Sequence, residues 1–142
     1  MLNRDTLRGE EIARNAPAVL LLHGADGLTF ADGSRLAART IAASGSHVAF
    51  VYYLDRTGDR RVASARMRQN FSLWAATVRD AVDWLVKQPG VDANRLGIVG
   101  ISLGAALAFE TAAADGRAKA IVDCFGPCRN SSPRTGRGSR PG

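Results

Sequence analysis

Asn94-Arg95-Leu96-Gly97-Ile98-Val99-Gly100-Ile101-Ser102-Leu103-Gly104-Ala105-Ala106-Leu107-Ala108-Phe109-Glu110 decides the fold. It opens as a short apolar run of β type and closes as a strong helix former, with Gly100-Ile101-Ser102-Leu103-Gly104 between the two. A serine on so sharp a strand-to-helix turn takes a strained backbone conformation, and side chains at positions 100 and 104 would crowd it. The turn is expected to lift the Ser102 Oγ above the sheet edge. The helix N-terminus behind it then faces any negative charge developing beside that oxygen.

Outward from this junction, strands and helices alternate. Ala18-Val19-Leu20-Leu21-Leu22-His23 is a continuous apolar run ending at Gly24, as a parallel strand buried on both faces should read. Asp32 is expected to cap the next helix, with Leu36, Ala37, Ile41 and Ala42 on its inner stripe, Thr40 beside them, and Gly45 ending it. His47 to Leu54 reads as the second strand. Phe71, Trp74, Ala75, Val78, Ala81, Val82 and Leu85 recur at helical spacing, so a long helix runs to about Gln88, where Pro89-Gly90 ends it. Residues 95–101, 102–114 and 118–125 read as strand, helix and strand. The fold class is therefore α/β, with about four parallel strands, right-handed crossovers and helices on both faces.

The 142 residues suffice for one domain. Residues 1–14 read as a lead-in, 15–127 as the domain, and 128–142 as a disordered basic tail that from Arg129 on has no apolar residue able to enter a core. The tail's Arg, Gly, Pro and Ser composition also matches an out-of-frame reading of GC-rich DNA. The formal charge of +6 owes four units to Arg129, Arg134, Arg137 and Arg140, leaving 15 basic and 13 acidic residues elsewhere. No basic stripe interleaved with aromatics remains, so nucleic acid is not an expected partner. The N-terminus lacks the apolar core of a signal peptide and no run approaches a membrane span, which makes the cytoplasm the default location and excludes a membrane partner. Cys124 and Cys128 are too few to hold zinc, and no metal or other cofactor is expected.

His23-Gly24-Ala25-Asp26-Gly27, Tyr53-Leu54-Asp55-Arg56-Thr57-Gly58, Val91-Asp92-Ala93-Asn94-Arg95 and the Gly100–Gly104 turn follow in an order and spacing that resemble the dienelactone hydrolase family of α/β-hydrolases. The resemblance covers residues 15–127, read as the strand-3 to strand-6 part of that fold. It implies hydrolysis of a small-molecule ester or lactone through a covalent acyl-enzyme. Ser102 would be the nucleophile on its elbow, and the backbone N–H groups of Leu103 and Ala25 would form the oxyanion hole. His23 would support the oxyanion loop, with Gly24, Asp26 and Gly27 approaching the substrate. Dienelactone hydrolases proper carry cysteine as the nucleophile; serine here suits a general esterase and depends more on a base. The family places its catalytic Asp and His beyond the fourth strand read here, so the chain is expected to be truncated and to lack both.

The remaining candidates have structural readings. His23 is an unsuited general base unless it lies within about 3 Å of the Ser102 oxygen. His47, opening a strand, is expected at the far sheet edge and partly exposed. Asp123 is expected to pair with a neighbouring donor, Asp26 to hold its loop's turn, and Asp92 with Arg95 to brace the start of the elbow strand. Asp55 and Arg56 would line the pocket or pair. Trp74 would pack in the core and Trp84 on the helix flank. Two rival readings follow. One is a non-catalytic fragment or subunit completed by another chain, with an open edge at the fourth strand. The other is a nucleotide-binding module using Gly97, Gly100 and Gly104, opposed by side chains at Ile101, Ser102 and Leu103 where a pyrophosphate needs bare backbone. The sequence specifies no oligomeric state.

Overall fold

The computed structural model describes residues 4–7 and 15–126. The tail over 128–142, Cys128 and most of the lead-in lie outside the described residues. The elements are β1 (Arg4–Leu7), β2 (Ala16–Leu22), α1 (Ala31–Ala43), β3 (His47–Val51), α2 (Ser64–Leu85), β4 (Val91–Ile101), α3 (Leu103–Asp115) and β5 (Ala118–Cys124), with a 3-10 turn at Tyr53–Arg56. The sheet order is β1-β3-β2-β4-β5. β2 through β5 are parallel, and β1 adds an antiparallel strand on β3 that the sequence reading leaves in the lead-in.

The apolar run of β2 is central because it has side chains to bury on both faces. Leu20 and Leu22 pack with Val51, Trp74, Val78 and Leu107 under α2 and α3. Leu21, one residue out of phase, packs with Ala38, Ala42 and Phe50 under α1. From β2 the chain crosses to β3 on one side, and from β4 it crosses to β5 on the other. The carboxyl ends of β2 and β4 therefore flank a topological switch point, where an open α/β sheet leaves a crevice.

Four local expectations are corrected. α1 buries Ala31, Ser34, Ala38 and Ala42, while Leu36 is 65% exposed and Ala37 is also exposed. The helix is alanine-rich on several faces, and docking on the sheet selects the smallest side chains. Asp32 lies within its first turn and Phe30 holds the cap position. The strand predicted to reach Leu54 stops at Val51, and Tyr53 and Leu54 turn inward as part of the 3-10 turn. His47 is buried, because the turn before β4 covers it: a Cβ on Gly90 would lie 3.4 Å from its Nε2.

Candidate active site

Ser102 stands between β4 and α3 with φ 52° and ψ −111°, a conformation that side chains rarely adopt. Its N–H donates to the Cys124 carbonyl at 2.8 Å, and its own carbonyl accepts from the N–H groups of Ala105 and Ala106. The sharp turn is thereby tied to β5 on one side and to the helix on the other. The glycines around it meet steric demands. A Cβ on Gly100 would lie 2.5 Å from Ala105 N, and one on Gly104 would lie 2.5 Å from the Leu22 oxygen and 2.6 Å from the His23 oxygen. A Cβ on Gly24 would lie 3.3 Å from the Ile101 oxygen, so the loop after β2 runs directly against the turn. Ser102 is exposed above it.

The structure brings Ser102, Leu103, Gly24 and Ala25 to the same end of the sheet. The N–H of Leu103 opens the first turn of α3, where no intrahelical acceptor exists. Neither it nor the N–H of Ala25 donates to another described backbone carbonyl, whereas the Ala25 carbonyl accepts from Val62 N–H at 2.9 Å. Gly27 has φ 60°, and a Cβ there would lie 2.1 Å from the Arg60 oxygen. Its absence of side chain lets residues 58–62 close on the loop. Asp26 accepts through its carbonyl from Thr29 and pairs its carboxylate with Arg61 at 3.2 Å. Both partners of that pair are exposed, so it contributes little to stability.

His23 is buried. Its Nδ1–H donates to the Gly24 carbonyl at 2.8 Å, which leaves Nε2 as the unprotonated nitrogen, without a hydrogen-bond partner. The ring stacks on Tyr53 with centroids 4.2 Å apart. The Tyr53 hydroxyl donates to the His23 carbonyl at 2.5 Å, and burial pushes the phenol pKa far up. Tyr53 thus clamps the end of β2, a role with no local sequence signal because the partners are 30 residues apart. Behind it, Trp74 Nε1–H donates to Thr57 Oγ1, which donates to the Asp59 carboxylate at 2.6 Å. A cavity of about 420 Å³ opens beside this corner, lined by His23, Gly27, Leu28, Leu54, Asp55 and Arg60 among others. Ser102 is not among its lining residues.

The outlying candidates stand as structural groups. Asp123 accepts from Gly126 N–H at 2.6 Å. Asp92 accepts from Arg95 and Asn94, and the Arg95 hydrogen bond is the main cause holding its carboxyl below the usual range. Trp74 is fully buried and Trp84 half-buried. His47 lies at the opposite end of the sheet from Ser102, since it begins β3 whereas Ser102 follows the end of the parallel strand β4.

Burial lowers the His23 pKa, partly offset by the Gly24 hydrogen bond and by attraction to Asp55. The folded chain then binds this proton less readily than the unfolded chain, whose histidine titrates near the ordinary value. The buried neutral ring contributes stability that is full above about pH 6.5 and lost as pH falls through that value towards the folded one, with a slope of at most about 1.4 kcal/mol per pH unit. Thermal melts between pH 7.5 and 5.5 should show Tm falling with pH. His23→Asn should flatten that fall, whatever its absolute Tm. An unchanged slope would contradict the burial argument.

A parallel sheet carrying a strained serine at its strand-to-helix turn, over a glycine loop from the neighbouring strand, defines the α/β-hydrolase class of fold. The dienelactone hydrolase family matches residues 5–138, and the chain belongs to that family. Among solved structures, m3DLH is 27% identical with a TM-score of 0.71, over 88% of this chain and 60% of that one. A dienelactone hydrolase-like promiscuous phosphotriesterase from metagenomic libraries is 24% identical with a TM-score of 0.72, over 87% and 53%. Dienelactone hydrolase from Anabaena variabilis is 18% identical with a TM-score of 0.65, over 88% and 57%. The latter two show the fold alone. The chain thus spans little more than half the length of these structures. No curated protein sequence matches it. Among the described residues, no helix is long and apolar enough to cross a membrane.

Proposed function

We propose that Ser102 is the nucleophile of an ester- or lactone-hydrolysing site of the dienelactone hydrolase type. The backbone conformation of Ser102, held by Cys124 and packed against Gly24, is the observation that carries this reading. The Ser102 Oγ attacks the acyl carbonyl, the oxyanion accepts hydrogen bonds from the N–H groups of Leu103 and Ala25, and its collapse breaks the ester C–O bond and releases the alcohol, which in a lactone stays attached to the acyl chain. Loss of one such donor typically removes about 2.7–4 kcal/mol of transition-state stabilisation. The acyl-serine is then hydrolysed. Serine needs a base for this step. The sequence holds two histidines. His23 spends its proton on Gly24 and buries Nε2 without a bond to Ser102, and His47 is at the wrong end of the sheet. In this reading neither His23 nor His47 is the base that activates Ser102.

The same positions of the two histidines favour the second reading, a non-catalytic piece or subunit whose site another polypeptide completes. A fluorophosphonate probe separates them. Slow labelling of the chain, absent in Ser102→Ala and accelerated by millimolar imidazole as a substitute base, is the expected result for an elbow competent without its histidine. Equal labelling of both proteins, or none on the folded chain with imidazole present, would overturn the nucleophile assignment.

A further inference from the structure

We propose that Tyr53 is a positioning residue for the oxyanion hole: through the His23 carbonyl and the His23 ring it sets the direction of the Ala25 N–H. This rests on the reading of Ser102 as nucleophile with Leu103 and Ala25 as donors. β2 ends at Leu22, and its ladders to β3 and β4 end there too, so the peptide units that follow take no orientation from the sheet. Three of them are nonetheless held in succession. The His23 carbonyl accepts from the Tyr53 hydroxyl at 2.5 Å. The Gly24 carbonyl accepts from His23 Nδ1–H at 2.8 Å and from Gly27 N–H at 3.0 Å. The Ala25 carbonyl accepts from Val62 N–H at 2.9 Å.

A trans peptide unit is planar, and its C=O and N–H point in opposite directions. The Gly24 carbonyl and the Ala25 N–H belong to one such unit, so whatever holds that carbonyl aims that N–H. His23 Nδ1–H does so, and its ring is fixed by Tyr53, on which it stacks with planes 14° apart. Tyr53 thus acts on two successive units, on the first through its hydroxyl and on the second through the imidazole. The first unit also faces α3, since a Cβ on Gly104 would lie 2.6 Å from the His23 oxygen. Drawing that oxygen to Tyr53 keeps the loop seated against the helix whose first N–H, at Leu103, is the other donor. Tyr53 is itself immobilised. It is fully buried and tilted on Trp74 with ring centroids 6.1 Å apart, and Trp74 Nε1–H is held by Thr57 at 3.0 Å.

Tyr53→Phe keeps the ring and its stack and removes only the hydroxyl. Residual dipolar couplings read the direction of each N–H bond, and in Tyr53→Phe that of Ala25 should depart from its parent value while those of Leu103 and the strands keep theirs. With a fluorophosphonate in millimolar imidazole, the maximal labelling rate at Ser102 should fall about tenfold, short of the roughly 10²–10³-fold for a donor lost outright. The half-saturating probe concentration and the final extent of labelling should not change. Val82→Ala, a buried position near the end of α2 away from Ser102, should lower Tm and leave both readouts at parent values, which separates positioning from stability. His23→Phe keeps a ring on Tyr53 without the Nδ1–H and should also shift the Ala25 coupling; an unchanged value there overturns the proposal even if Tyr53→Phe fails to fold. So does an Ala25 coupling or a labelling rate that Tyr53→Phe leaves at the parent value. A parent chain that takes no label at Ser102 overturns the nucleophile reading instead, and the Ala25 coupling still decides whether Tyr53 aims that N–H.

Discussion

Gly104→Ala should destabilise the fold by about 3 kcal/mol or more, at the upper end of overpacking substitutions. In an ordinary helix interior the same change would stabilise by up to about 1 kcal/mol. Here the new Cβ would lie 2.5 Å from the Leu22 oxygen and 2.6 Å from the His23 oxygen, both backbone atoms at the end of the central strand. No rotamer relieves a backbone clash. α3 must move off the sheet, carrying Ser102 and Leu103 with it and disturbing the carbonyl that Tyr53 clamps. Gly33→Ala is the control: it sits at an exposed position of α1 with nothing within 4 Å of the added Cβ, and should gain about 0.5–1 kcal/mol. Urea titrations of both variants would check the opposite signs. A Gly104→Ala midpoint equal to that of the parent would mean that α3 does not press on β2.

Ser102→Gly should be more stable than Ser102→Ala by about 1 kcal/mol, while both lose probe labelling. Neither variant has the hydroxyl, so the difference reports the backbone. A non-glycine residue in so sparsely populated a region costs on the order of 1–3 kcal/mol. Against this, glycine loses roughly 0.5–1 kcal/mol through the greater freedom of the unfolded chain. The three bonds that hold the turn, to Cys124 and from Ala105 and Ala106, involve the backbone and survive both changes. Equal midpoints for the two variants would remove strain from the account of Ser102, and with it the main support for its assignment as nucleophile.

The fold's framework and the site's sharp turn are legible in the chain itself. Gly100 and Ser102 answer a steric demand between near neighbours in sequence, and Leu20-Leu21-Leu22 must be covered on both faces wherever it lies. These are local requirements, so residue type and spacing disclose them, and the family resemblance read over 15–127 agrees with a match over 5–138. Other features depend on distant partners. The face of α1 was ambiguous because alanines lie all around it, and contact with the sheet leaves Leu36 in solvent. The burial of His47 requires the turn at Gly90, and the pairing of Arg4–Leu7 with β3 needs a strand more than 40 residues away. The clamp from Tyr53 to the His23 carbonyl joins two elements neither of which signals it. Sequence alone thus determined the four parallel strands, the three helices and where the strained serine sits, since burial periodicity and local sterics act along the chain. Tertiary structure decided which helix face is inside, what closes on His23 and that His23 makes no hydrogen bond to Ser102, since those depend on partners that only folding brings together.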